Sequence, residues 1–306
     1  MDINKTDHFG DRLCAAIKTK QTPLVVGLDP RQRNLPEELK SLDPAEAYET
    51  FSKEIIDVVA DKVPAVKPQS AFFEQLGPQG VVALGKITDY ARSKGLLTIM
   101  DAKRGDIGST ATAYANAFLD RSESAPWRCD SLTVNPYLGD DSLTPFCEVA
   151  DKNGSGIFVL AKTSNPGSKT FQEKSVEGEN QKMFELVADH LQTLAARNIG
   201  ESGYGNVGAV VGATWPEELV ALRKRMPNVP FLIPGFGAQG GSAADVGGGL
   251  DENGLGGVIN SSRGIIFAYE RPEFEAIVNW QDAVSLATDM AIGQIAAETS
   301  AGKLKN

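Results

Sequence analysis

Residues 97–110 read LTIMDAKRGDIGST. An apolar, partly β-branched run, LTIMDA (97–102), predicts a strand. It ends in charge at Asp101-Ala-Lys103-Arg104, turns at Gly105-Asp106, and meets Ser109 and Thr110, which are placed to cap a following helix. A strand that finishes in polar residues and turns into a helix is one βα unit. The same pattern recurs outward in both directions. Strands are expected at 24–29 (LVVGLD), 65–72 (AVKPQSAF), 132–136 (LTVNP), 157–162 (IFVLAK), 208–213 (GAVVGA), 230–235 (PFLIPG) and 257–262 (GVINSS). Helical stretches lie between them, as at 45–60, 181–197 and 215–226. In the second of these, Leu186, His190, Leu191 and Leu194 recur at helical spacing and predict a core-facing stripe. About eight units is the number a closed (β/α)₈ barrel needs. Alternation alone leaves a doubly wound sheet open. No solenoid repeat and no Pro- or Ser-rich linker divides the chain, so residues 1–306 are expected to form a single barrel domain.

Composition narrows the chemistry. The 306 residues are 42% hydrophobic and 23% charged, enough for a large core without disulfide or metal staples. Lys+Arg total 30 against 40 Asp+Glu, a formal charge of −10, which argues against nucleic acid or an anionic membrane as a partner. A small anion held by a local cluster of donors remains allowed. Cys14, Cys129 and Cys147 share no metal-ligand spacing and read as reduced intracellular thiols. No run of about 18 apolar residues suggests a membrane span, and the N-terminal MDINKTDHFGDRL carries no apolar core of a signal sequence, so a cytoplasmic location is expected. With His8 and His190 alone, histidine triads and multi-histidine metal sites are nearly excluded. The chemistry must run on Lys, Asp, Ser and Arg.

In a barrel, the C-terminal strand ends face the active site. The predicted ends carry Asp29, Lys67, Asp101 with Lys103, Asn135, Lys162-Thr163-Ser164, and Ser261-Ser262-Arg263. Any one of these is unremarkable: a loop cap, a surface ion pair, or for Asp106 a charge at a helix N-terminus. Six such ends together imply a mutually compensated network, because each unpaired buried ion costs several kcal/mol. Asp101 and Lys103, two apart on a strand, are expected on the same side. Carboxylates at Asp101 and Asp106 flanking Lys103 should keep it protonated, which suits donation to a carbanion rather than Schiff-base chemistry. Asn135 reads as structural or as supporting the site from behind. Met100 and the cysteines read as core.

On these residues the chain resembles the orotidine 5′-phosphate decarboxylases, from GLDPR (27–31) to NSSRG (260–264), and is most similar to their longer bacterial (type 2) branch with its DAKRGDI motif. The pattern D-x-K-x-x-D-I-x-x-T is matched at Asp101, Lys103, Asp106, Ile107 and Thr110, the preceding lysine at Lys67, and the first-strand aspartate at Asp29. The resemblance implies a (β/α)₈ barrel working as a homodimer, with Asp106, Ile107 and Thr110 reaching the partner's active site. It implies decarboxylation of orotidine 5′-monophosphate to uridine 5′-monophosphate, the last step of de novo pyrimidine nucleotide synthesis, without metal or organic cofactor. Lys103, Asp101, Asp106 and Lys67 would be catalytic, with Asp29 on the ribose. AKTSNPGS (161–168) resembles the loop whose serine, matched at Ser164, bonds the pyrimidine; Asn165 stands where shorter relatives often have histidine. GFGAQGG (235–241) resembles the phosphate-closing loop, with Gln239 on the phosphate and glycines at 235, 237, 240 and 241 permitting φ > 0. Arg263 offers a planar fork to the phosphate dianion.

Two other functions fit parts of this pattern. A sugar-phosphate decarboxylase or hexulose-phosphate synthase of the same barrel group would bind Mg²⁺ through an acidic residue on the second strand, where Lys67 would repel it. A catalytically silent barrel that senses a nucleotide phosphate would gain little from clustering Lys67, Asp101, Lys103 and Asp106.

Overall fold

Short β-branched runs, each too short to stand alone, pair only if their neighbours close around them. The computed structural model describes residues 8–214, 216–237 and 242–305. Among these residues, eight parallel strands pair in sequence order: β1 (Leu24–Leu28), β2 (Ala65–Pro68), β3 (Leu97–Arg104), β4 (Ser131–Val134), β5 (Gly156–Lys162), β6 (Val207–Val211), β7 (Phe231–Pro234) and β8 (Gly257–Ser261). Strand β8 pairs back onto β1 through Leu24↔Ile259 and Val26↔Ser261, which closes the barrel and disposes of the doubly wound alternative.

The helices run α1 (Phe9–Lys20), α2 (Pro44–Val59), α3 (Ser70–Glu74), α4 (Pro78–Ser93), α5 (Gly108–Leu119), α6 (Asp140–Asn153), α7 (Met183–Ala195), α8 (Pro216–Arg225), α9 (Ala243–Gly247), α10 (Arg263–Ile266) and α11 (Trp280–Glu298). Proline at the first helical position and an aspartate cap on Ala45's amide start α2 where the expected helix begins. Three expectations shift. The second strand stops at Pro68, because residues 70–74 turn into α3. Helix α5 starts at Gly108 with Ile107 in the capping position, so Ser109 and Thr110 lie inside its first turn and are not caps. The stripe of α7 is Phe184, Ala188, Leu191 and Leu194, while Leu186 and His190 sit half-buried at its edge.

Two apolar layers hold the barrel. Outside the sheet, strand residues such as Val26, Val66 and Met100 pack against α2, α4 and their neighbours through Phe51, Ile55 and Ile87. Inside, Val25, Ala65, Ile99, Phe158, Val210, Leu232 and Val258 converge with Phe9, Leu13 and Ile17 of α1, which plugs the N-terminal end. Phe9 meets Phe158 edge to face at 5.9 Å, and Gly156 leaves room for its ring: a Cβ there would lie 2.1 Å from Phe9 Cδ1. That inner layer is the floor on which the site stands.

Candidate active site

A strand alternates its faces every two residues, so each inward apolar residue is followed, two positions on, by another inward residue one layer nearer the mouth. The step from Ala65 reaches Lys67, from Ile99 Asp101, from Ser131 Thr133, from Phe158 Leu160, and from Val258 Asn260. One further step along β1 beyond Gly27 reaches Asp29. Apolar floor gives way to charge within one layer. These residues line a cavity of about 440 Å³ at the C-terminal strand ends, together with Lys103, Ser164 and Arg263. Leu160, Val210, Leu232 and Phe236 supply its apolar wall.

Asp101 is the hub. Lys67 Nζ and Gln69 Nε2 each donate to its Oδ2 at 2.9 Å, while Lys103 Nζ donates to Oδ1 at 2.6 Å and Thr133 Oγ1 at 3.0 Å. Burial by itself would raise this carboxyl's pKa, but the two ammonium groups overcome it and hold the group well below the ordinary carboxylate range. Burial likewise opposes the charge on Lys67, and Asp101 with Asp29 reverses that, so its pKa is raised. The two lysines differ in access. The Lys67 side chain is 6% exposed and locked; that of Lys103 is 47% exposed and opens on the cavity.

The expected residues divide into three groups. Asp29, Lys67, Asp101, Lys103, Ser164 and Arg263 come together around the one cavity. Asp29 lines the cavity, and its Oδ1 is buried without a hydrogen-bond partner among the described residues. Asp106, Ile107 and Thr110 do not line the cavity of their own chain: Asp106 accepts its neighbour Ile107's amide at 2.8 Å, and Ile107 and Thr110 are exposed. The expected flanking of Lys103 by Asp106 is thus not made within one chain. Gln239, Gly240 and Gly241 lie outside the described residues. Gly235 and Gly237 do adopt positive φ, 110° and 79°.

One strand end departs from expectation, and another keeps the structural reading given to it. Lys162 is buried and does not line the cavity; it pairs with the partly exposed Glu173 at 2.6 Å, leaving Thr163 and Ser164 at the mouth. Asn135 caps the loop after β4 by accepting the Tyr137 amide at 3.0 Å, a structural role. Met100 is fully buried, as are Cys14 and Cys129 nearly so, and all three cysteines are free thiols. Composition and motif reading missed Gln69, Thr133, Asn260 and Gln172. Gln172 ties the loop together by accepting Thr163's amide at 2.9 Å and donating to its hydroxyl at 2.8 Å. Period-two stepping from the apolar floor could have flagged Thr133 and Asn260. Nothing local marks Gln172. Among the described residues, no group of three or more His, Cys, Asp and Glu side chains is arranged to hold a metal ion.

A closed (β/α)₈ barrel with a Lys–Asp–Lys cluster at its mouth defines the class. The chain matches the family model "Orotidine 5′-phosphate decarboxylase / HUMPS family" over residues 22–277, and it belongs to that family. It is 53% identical over 292 residues to the orotidine 5′-phosphate decarboxylase of Rhodopirellula baltica, covering 92% of this chain and 96% of that one. It is 40% identical over 278 residues to that of Caldicellulosiruptor bescii, covering 86% and 90%. Among solved structures, a putative orotidine 5′-phosphate decarboxylase from Streptomyces avermitilis superposes with a TM-score of 0.81 at 39% identity, covering 96% of both chains.

Proposed function

We propose that this protein decarboxylates orotidine 5′-monophosphate to uridine 5′-monophosphate without a metal ion, as a single barrel domain of the longer bacterial branch, in the cytoplasm. The DAKRGDI wording at 101–107 supports the branch, and the relatives' shared name supports the reaction. The observation that carries the mechanism is Lys103: its ammonium contacts Asp101 at 2.6 Å yet remains open to the cavity.

The substrate's C6 carboxylate has no adjacent carbonyl or imine to take up electrons, so a fixed field must stabilise the carbanion. Asp101 would stand beside that carboxylate. Like charges about 4 Å apart repel by about 4 kcal/mol at an effective dielectric of 20. The C6–CO₂ bond breaks, its electron pair stays on C6, and CO₂ leaves, which relieves the repulsion while attraction to Lys103 grows. A proton then passes from Lys103 Nζ to C6, and solvent restores it. Lys67 holds Asp101 and reaches the ribose, Asp29 accepts from a ribose hydroxyl, and Ser164 bonds the pyrimidine. Arg263 and Gln239 grip the phosphate; Arg263 makes no ion pair among the described residues and so is available to an anion. Asp106, Ile107 and Thr110 would enter from a second copy of the chain. Exposed Ile107, Tyr137 and Leu138 near the mouth support an apolar contact there.

A divalent ion at this mouth would meet the Lys67 ammonium, which weighs against the Mg²⁺-dependent sugar-phosphate reaction. The deciding experiment follows loss of orotidine 5′-monophosphate absorbance in EDTA, for the unaltered protein and for Lys103→Ala. Turnover by the first alone is expected, with uridine 5′-monophosphate binding largely kept by the variant. Turnover that requires Mg²⁺ would overturn the metal-free reaction, and an active variant would remove Lys103 as proton donor. No turnover under either condition would favour a silent nucleotide-binding barrel.

A further inference from the structure

Strand β3 does not pair evenly with β4. Met100 pairs with Leu132, so an unbroken ladder would set Ala102 against Val134; instead Arg104 pairs with Val134. Two residues, Ala102 and Lys103, are therefore looped into the strand, and Lys103 takes φ +46°, an uncommon conformation for a residue with a side chain. Their amides lose their ladder partners. Both are recovered by one side chain: Ala102 N–H and Lys103 N–H donate to Thr133 Oγ1 at 3.0 and 2.9 Å. With its lone pairs so occupied, the hydroxyl has a single proton to give. Asp101 Oδ1 stands at 3.0 Å to receive it, against 3.5 Å for the Met100 carbonyl, and an ionised acceptor is the stronger one. Thr133 is 1% exposed, and its bond to Asp101 is buried.

We propose that Thr133 is a positioning residue for the decarboxylation: its hydroxyl holds the looped-out Ala102–Lys103 backbone and the Asp101 carboxylate in one register, and so sets where the Lys103 ammonium points. The inference rests on the decarboxylase reading for its kinetic consequence only. Thr133 touches the reacting groups through Asp101 and Lys103. Removing the hydroxyl without changing the side chain's volume leaves two half-buried amides without their acceptor and frees the strained turn to relax.

The test compares Thr133→Val with Thr133→Ser. With orotidine 5′-monophosphate, Thr133→Val should lower kcat about a hundredfold, the cost of a misplacement near 1 Å, while KM and uridine 5′-monophosphate affinity stay within about threefold. Thr133→Ser, which keeps the hydroxyl, should return kcat to within about threefold of the parent. Amide hydrogen exchange supplies a readout independent of turnover: Ala102 and Lys103 should exchange faster in Thr133→Val and remain protected in Thr133→Ser. Should Thr133→Val not fold, Thr133→Ala removes the hydroxyl without overfilling the site. An unchanged kcat in the variant lacking the hydroxyl, unchanged exchange at both amides, or an equal loss in Thr133→Ser would each overturn the proposal. If the parent protein itself fails to turn over the substrate, the decarboxylase reading fails, and the exchange measurement alone then decides whether Thr133 holds the turn.

Discussion

Asp101, 7% exposed, accepts from two ammonium groups, an amide and a hydroxyl, and the stability of the whole cluster follows from that one carboxylate. A carboxyl whose folded pKa is depressed stabilises the fold above its unfolded value of about 3.9, and that contribution is lost as pH falls through the folded value. Lys67 behaves oppositely: with a raised folded pKa, its contribution is whole below about 10.4 and is lost as pH rises beyond that. Between these limits Asp101 and Lys67 are both charged. Asp101→Ala leaves the buried Lys67 ammonium without its partner, and urea unfolding at pH 7 should register a loss of about 3–5 kcal/mol. The gap between variant and parent should narrow in titrations below about pH 4, where this carboxyl takes up a proton in the unfolded parent chain but not yet in the folded one. A gap that stays constant down to strongly acid pH would show that the ion pair is not its source. Lys67, Asp101 and Lys103 were legible beforehand because charge at a strand end is rare unless compensated. Gln69 was not, since a neutral polar residue at the same place resembles any loop cap, and Thr133 emerges only from the period-two step along β4.

Among the elements, β3 taught most. A strict pleat put Asp101 and Lys103 on one side by alternation, and they do meet at 2.6 Å, but the route is the two-residue loop-out described above. Alternation predicts faces only while the ladder is unbroken. A similar register break between Leu160 and Lys162 in β5 accompanies the absence of Lys162 from the cavity lining. The plug α1 stands at the other end of the barrel, where Phe9 is fully buried against Phe158 and its amide is taken by Asn206 Oδ1 at 3.0 Å. Phe9→Ala should cost about 3–5 kcal/mol in denaturant unfolding, the range for emptying a packed aromatic site. Turnover per folded molecule should remain near that of the parent, because the floor separates the plug from the mouth. Loss of turnover with intact stability would mean that the two ends are coupled.

At the scale of the molecule, closure decides what the strand ends can do. Six of the cavity's polar residues, Asp29, Lys67, Asp101, Lys103, Ser164 and Arg263, lie on or just after strands spread around the barrel, and the β8–β1 pairing closes the ring that gathers them on one cavity. Asp106, Ile107 and Thr110 do not line the cavity of their own chain, and Ile107 and Thr110 are exposed. Mixing tests the proposed sharing directly. If the proposed site is shared between two copies, Lys103→Ala and Asp106→Asn proteins, each inactive or nearly so alone, should recover about a quarter of parental activity after co-refolding, since half of such dimers would be mixed and each would carry one intact site. Recovery at the level of the separate proteins would mean that Asp106 serves its own chain or none.

The order of strands and helices, the choice of Lys, Asp and Arg for the chemistry, and most of the cavity's charged residues were determined by the sequence alone, because hydrophobic periodicity and the cost of unpaired buried charge are local facts. Closure of the sheet, the departure of Lys162, the absence of Asp106 from its own chain's cavity and the bond from Thr133 to Asp101 were decided only in three dimensions. Closure depends on pairing Leu24 with Ile259 from opposite ends of the chain, and the Thr133–Asp101 bond on register between strands whose partners are 32 residues apart. Register is set by how neighbouring side chains and backbone amides are jointly satisfied, which no single stretch of chain encodes.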